Sequence, residues 1–337
     1  MAGLELYAER RRRHRRTWTI AALVLGAAFM IGGQVGALLP AVRAGFVSPG
    51  GGTDGWPQLA YELAAAFGLG SVLVLLWAWL FERRGPAALG LNARGPMRFI
   101  RGYLLGLAFL TAVVGVIWAA GGYVVEGAGA FGSAAVGAAL LPIGVLLLGF
   151  IIQGSSEELL FRGWLMQLIA SRHGLWIAVI ANSALFALAH AGNIAPSNEL
   201  YVGLANIVLF GLFISLYAVR EGSLWGVCGW HAAWNWLLGL GFGLEVSGMK
   251  IDTLPLITDL TAAPGAAWWL TGGAFGPEAS VVTTAVLLTG TVVLALRGRT
   301  RDHGVEAAPV AALAVRRSSG APPPAPCGGS RGGRGFP

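Results

Sequence analysis

From Gly127 to Ser156 the chain carries no charged residue, and the run ends in Glu157-Glu158-Leu159-Leu160-Phe161-Arg162. Such a stretch is long enough to cross a bilayer, which takes roughly 20 residues of apolar helix. Ionisable groups at membrane depth cost a few kcal/mol or more each, so they are read as functional. Two adjacent acids, with an arginine four residues after the second, point to chemistry at the end of a membrane span, and hydrolysis is the chemistry they suit.

The rest of the sequence repeats the pattern. Mean hydropathy is +0.68, with 55% hydrophobic and 12% charged residues, outside the range of soluble domains. Eight stretches qualify as spans, at about 18–41, 58–81, 102–123, 136–160, 174–190, 201–219, 223–244 and 279–297. The fold class is therefore an all-α polytopic membrane helix bundle with about eight transmembrane helices. All basic residues except Lys250 are arginine, and 20 of them fall in segments that alternate spans put on one side, against Arg43 and Lys250 on the other. By the rule that basic loops stay inside, both termini are expected to be cytoplasmic. The formal charge of +7 is accounted for by these loops, and no nucleic-acid partner is expected. The basic stretch Arg10 to Arg16 precedes a first apolar run too long for the core of a cleaved signal, so that run reads as an uncleaved span.

Three regions follow: a basic cytoplasmic tail over 1–17, a transmembrane bundle over 18–297, and a disordered Arg/Pro/Gly-rich tail over 298–337. Thr261 to Pro277 is apolar, but Pro264, its glycines and its short length suit an interfacial or re-entrant piece better than a ninth span. Cys228 lies in an apolar run and Cys327 in the tail, so no structural disulfide is expected. Cys228 is read as a packing residue and Glu62 as interfacial.

Polar side chains within the other spans are few. The fifth stretch ends in Phe186-Ala187-Leu188-Ala189-His190, and the seventh holds His231-Ala232-Ala233-Trp234-Asn235. Residues four apart share a helix face, which groups Phe186 with His190 and His231 with Asn235. Each has a plainer reading. Glu158 and Arg162 would make a structural ion pair, His190 an interface residue, and His231 with Asn235 interhelical hydrogen-bonding glue. Their joint occurrence on three spans favours a hydrolytic centre.

These motifs, EExxxR, FxxxH and HxxxN in that order, resemble those of the CPBP intramembrane proteases. That family groups CAAX-prenyl endopeptidases with bacteriocin-processing and immunity proteins. The likeness covers a motif core of about 140–244 and implies an eight-helix-type core and peptide-bond hydrolysis near the membrane. Glu157 with His190 would then bind and deprotonate a water. His231 and Asn235 would donate to the oxyanion of the tetrahedral intermediate, worth about 3–4 kcal/mol per donor, and Glu158 and Arg162 would orient the site. The family is often called metalloprotease, and Glu157, His190 and His231 are candidate ligands for zinc. There is no HExxH, and a metal-free, glutamate-activated water is the preferred reading.

Depth raises a difficulty. At 1.5 Å per residue, Glu157 and His190 lie about 10 Å deeper than His231, unless the connection around Arg162–Arg172 protrudes into the cytosol or lies along the interface. The centre is then expected in the cytoplasmic half, cleaving at or near that side. Expected partners are membrane lipids and a peptide or membrane-protein substrate, and the expected location is a cell membrane of bacterial inner-membrane type. Two rivals remain: a non-catalytic interaction or immunity protein on the same fold, and an ion-coupled transporter. The latter would show repeats or broken helices, and none is evident.

Overall fold

A computed structural model describes residues 4–8, 13–48 and 55–296. The expected tail over 298–337 lies outside them. The described residues are 71% helix, as backbone in hydrocarbon requires, because a helix satisfies its own N–H and C=O groups. Eight helices fall on the eight apolar stretches. They are α1 (Thr19–Arg43), α2 (Trp56–Leu80), α3 (Gly95–Ala119), α4 (Val136–His173), α5 (Leu175–Leu188), α6 (Asn198–Glu221), α7 (Trp225–Trp236) and α8 (Val281–Leu296). Among the described residues five are long and apolar enough to cross a membrane: α1, α2, α3, α4 and α6. The chain is thus a membrane protein with at least this helical frame.

Helix α4 departs most from expectation. The reading stopped near Leu160, yet the helix continues through a π-helical stretch, Leu159–Leu165, to His173, 38 residues in all. At 1.5 Å per residue that is about 57 Å, well beyond a hydrocarbon core of about 30 Å. Nothing stops it before Gly174, whose φ of +90° turns the chain into α5. Such a length gives the tip at the α4–α5 connection the reach that the expected protrusion needs. It is not bare: every residue from Glu158 to Ser171 is buried.

The N-terminal segment covers part of this tip. Leu6 is buried, the Tyr7 hydroxyl donates to the Arg162 carbonyl at 2.9 Å, and Gln167 donates to Glu5 at 2.7 Å. Glu5 also pairs with Arg16. Burial, and the neighbouring Glu158 carboxylate, push the Tyr7 phenol up, which keeps it a donor. The far side is covered by the one-turn helix Pro86–Leu89 and the α6–α7 turn. These two are stitched together by Asn92 to Gly222 at 2.6 Å, Trp225 to Asn92 at 2.8 Å and the Leu224 amide to Gly90 at 2.9 Å.

Helix α7 is centred in the bundle because α3 meets it through glycine. A Cβ on Gly102 would stand 1.8 Å from the Gly226 carbonyl oxygen, and one on Gly229 would stand 2.2 Å from that of Phe99. Small residues let backbones approach in this way, the usual device of membrane helix pairs. The structure also holds a small sheet that the sequence reading lacked. Strand β1 (Tyr123–Ala128) pairs antiparallel with β2 (Thr258–Ala262). After β2 the apolar stretch around Trp268 and Trp269 forms one helical turn, Trp268–Thr271, and two 3₁₀ turns, so it makes no ninth span-length helix.

Candidate active site

The EExxxR motif straddles the start of the π-helical stretch of α4. Such π turns recur at functional sites because the extra residue re-aims side chains. Glu158 and Arg162 are fully buried and 3.2 Å apart, so the expected ion pair forms. The Arg162 guanidinium carbon also lies 4.2 Å from the centroid of the Phe186 ring. Buried guanidinium over an aromatic face adds a cation–π attraction that grows with desolvation. Phe186 therefore touches three residues of the motifs: Arg162 on its ring, His190 Nδ1 2.8 Å from its carbonyl oxygen, and the His231 ring at 6.1 Å between centroids.

Glu158 has a second partner. His231 Nδ1 lies 2.9 Å from Glu158 Oε1, and its Nε2 lies 3.6 Å from Glu157 Oε2. One histidine thus stands between both glutamates. Its approach depends on Gly154, where a Cβ would come within 3.3 Å of the His231 ring and 3.1 Å of the Ala232 amide. Oε2 of each glutamate has no hydrogen-bond partner among the described residues. The side chain of Glu157 is 15% exposed where that of Glu158 is sealed. The two adjacent acids are thereby sorted: Glu158 is structural in its bonds, and Glu157 faces an opening.

That opening is a cavity of about 430 Å³, lined by Glu157, His190, His231 and Asn235 together. All four expected active residues share it. Glu158 and Arg162 are absent from the lining and stand behind Glu157. His190 lies just past the end of α5, in a turn rather than on the helix, and its Nδ1 bond to the Phe186 carbonyl holds the ring. Because a carbonyl can only accept, Nδ1 carries the hydrogen and Nε2 is the nitrogen left for chemistry. Among the described residues no hydrogen bond joins His190 to Glu157, so the neighbour of Glu157 is His231.

Sequence reading missed several lining residues. Gln153, one turn before Glu157 on α4, accepts from Asn235 Nδ2 at 3.1 Å. Its i−4 spacing from Glu157 was the available signal. Glu62, expected at the interface, lies on the π turn Glu62–Ala66 of α2 and lines the cavity instead. Glu278, in the 3₁₀ turn before α8, also lines it, bonded by the Ser247 hydroxyl at 2.8 Å and by Trp234 Nε1 at 3.2 Å. Burial raises the Glu278 carboxyl above its ordinary range, while the Ser247 bonds oppose that rise. Cys228 is buried and free, as expected for packing.

As a metal site the donors do not fit. Among the described residues no three His, Cys, Asp or Glu side chains are grouped to hold an ion. His231 Nδ1 is held by Glu158 and His190 Nδ1 by a backbone carbonyl, so Nε2 is the one ring nitrogen of each left to ligate.

With this geometry in place, comparison with known families is decisive for part of the chain. Residues 139–237 match the Rce1-like family, described as type II CAAX prenyl endopeptidase Rce1-like. This segment is an Rce1-like domain of the CPBP family. It runs from the start of α4 to the end of α7 and contains every motif residue named above. The family is one of proteases, so the resemblance carried by the three motifs holds. Helices α1 to α3 and α8 lie outside the matched segment, although α1, α2 and the turn before α8 line the same cavity. No curated protein matches the chain, and no solved structure does.

Proposed function

We propose that the protein is an intramembrane endopeptidase that hydrolyses a peptide bond in the 430 Å³ cavity with water activated by Glu157. The observation that carries this reading is the contact of one histidine, His231, with both glutamates, of which Glu157 alone lines the cavity. At 3.6 Å the Glu157–His231 contact is too long for a hydrogen bond, so the carboxylate keeps acceptor capacity for a water from the cavity.

In the proposed mechanism Glu157 removes a proton from that water as it attacks the scissile carbonyl. Glu158 orients the His231 ring through Nδ1, and with a hydrogen on both ring nitrogens its Nε2–H donates to the developing oxyanion. Asn235 is the second donor. One of its two amide hydrogens is held by Gln153, which leaves the other for the substrate. Glu157 then returns the proton it took from the water to the leaving amine, and His190, whose unengaged Nε2 is an acceptor, takes a hydrogen bond from the attacking water. Arg162 pairs with Glu158 at 3.2 Å without touching substrate. We further propose that all eight helices cross the membrane with the N-terminus cytoplasmic, α5, α7 and α8 being short because loops fold in beside them.

The test is comparative membrane proteomics of cells carrying the wild-type protein or Glu157→Gln. Neo-termini present only in the wild type are expected. Identical peptide termini in the two strains would remove the peptidase reading and favour a non-catalytic interaction protein.

A further inference from the structure

Helix α4 changes register where it carries the site, and the change frees a carbonyl. In an α-helix the Met166 amide would bond to the carbonyl four residues back, that of Arg162. Here it bonds instead to the carbonyl of Phe161, five residues back, at the end of the π-helical stretch Leu159–Leu165. The Arg162 carbonyl therefore needs another donor, because buried backbone carbonyls are nearly always paired. Every residue from Glu158 to Ser171 is buried, so bulk water does not supply one.

The donor comes from 155 residues away: the Tyr7 hydroxyl reaches the Arg162 carbonyl at 2.9 Å. Tyr7 is held there by its own segment. Leu6 is buried beside it, and Glu5 accepts from Gln167 Nε2 of α4 at 2.7 Å and pairs with Arg16. Gly90 makes room for the ring, since a Cβ at that position would stand 3.3 Å from it.

A chain of contacts leads from this bond to the cavity. Arg162 Nη1 donates to Glu158 Oε1 at 3.2 Å, that oxygen lies 2.9 Å from His231 Nδ1, and His231 Nε2 lies 3.6 Å from Glu157. None of Tyr7, Arg162 and Glu158 lines the cavity, so Tyr7 reaches the reaction through that chain and not by touching substrate. Tyr7 also lies outside the segment matched to the family.

We propose that Tyr7 is a positioning residue: by supplying the donor that the π turn takes from the Arg162 carbonyl, it fixes Arg162, and through Glu158 the His231 ring, against Glu157. The effect on catalysis rests on the proposed peptidase reading, whereas the hold on the turn does not.

The experiment compares full-length wild type, Tyr7→Phe and Tyr123→Phe. Each variant loses one hydroxyl and keeps its ring. Tyr123 donates to the Thr271 carbonyl at 2.7 Å, a buried bond of the same kind made from β1 rather than to α4. Amide hydrogen exchange in detergent, read by mass spectrometry on peptides covering Leu159 to Gln167, needs no substrate. It should quicken about two- to tenfold in Tyr7→Phe, the range set by one hydrogen bond, and keep the wild-type rate in Tyr123→Phe. Turnover is measured on a peptide spanning a cleavage site found in the comparison of neo-termini. Tyr7→Phe should lower kcat about tenfold with KM unchanged, as loss of transition-state positioning does, and Tyr123→Phe should change neither. Should Tyr7→Phe yield no folded protein, Glu5→Ala, which unties the segment from Gln167 and Arg16, is read by the same two measures. Wild-type exchange over Leu159 to Gln167 would overturn the proposal. So would faster exchange with wild-type kcat, or an equal fall of kcat in Tyr123→Phe, which would mark a general loss of stability. Absence of any cleavage by the wild type would remove the peptidase reading, and exchange would still decide whether Tyr7 holds the turn.

Discussion

His231 and Glu158 are joined at 2.9 Å through the histidine Nδ1, and this bond decides what each glutamate of the motif does. Glu158 is committed on one oxygen to His231 and Arg162, both buried. Glu157 is the one of the two that lines the cavity, its side chain 15% exposed. Glu157→Gln is expected to abolish proteolysis while leaving the folded yield near wild type, because no protein hydrogen bond is lost at Oε2. Glu158→Gln should lower both, since removing one partner of a buried pair leaves Arg162 uncompensated, a loss of about 3–5 kcal/mol. Thermal unfolding in detergent beside the activity assay checks both. Near wild-type turnover in Glu157→Gln would remove the central assignment.

Asn235 and Gln153 form a coupled amide pair. If Asn235 donates to the transition state, Asn235→Ala should lower kcat by about two to three orders of magnitude with little change in KM. Gln153→Ala frees Asn235 to rotate and should cost less, about tenfold. The two single variants and the double variant form a cycle. Additive losses would show that Gln153 acts independently of Asn235.

The motif residues were legible because each motif pairs residues four apart, which a helical turn places on one face, and His190 keeps that spacing just past the end of α5. Which histidine meets Glu157 was not legible. That depends on Gly154 admitting α7 to α4, a contact between residues far apart in sequence. Glu278 was hidden for the same reason: it bonds to Trp234 and Ser247, 44 and 31 residues away. The overrun of α4 was legible only as a mismatch of depths, since no breaker stands between Glu158 and Gly174. The pairing of Tyr123–Ala128 with Thr258–Ala262 leaves no local pattern, and the apolar run of the third span masked β1.

The glycine contacts of α3 give a prediction about assembly. Gly102→Ala places a methyl 1.8 Å from the Gly226 carbonyl oxygen, so α3 and α7 must separate. Overpacking of this kind costs about 1–3 kcal/mol or more. Gly115→Ala on the same helix meets nothing within 4 Å and should be tolerated. Melting temperatures of the two variants, measured side by side, check the difference; equal values would show that the helix contact is loose.

Glu278 gives the pH dependence. Burial raises its carboxyl above the ordinary value. Its uncharged form is therefore favoured in the folded protein, and this contribution is complete below the unfolded pKa. It is lost as pH rises through the folded one. Stability in detergent should fall over the acid-to-neutral range above about pH 4.3, the ordinary glutamate value, and fall less in Glu278→Gln. Parallel melting curves against pH for the two proteins would rule out Glu278 as the source.

Metal dependence turns on His231, whose Nδ1 is held by Glu158 and whose Nε2 is the one nitrogen left to ligate. A zinc site needs at least three nitrogen, sulfur or carboxylate donors aimed at a common point. No such group of three exists among the described residues. Chelators are therefore expected to leave turnover unchanged in the purified protein. His231→Ala should lower kcat by about two to three orders of magnitude, as loss of an oxyanion donor does, without any accompanying change in metal content. Elemental analysis of active wild type and His231→Ala checks this directly. Stoichiometric zinc in the wild type, lost with activity in His231→Ala and restored by added zinc, would overturn the metal-free mechanism. Glu157, His190 and His231 would remain at the site, with a different task.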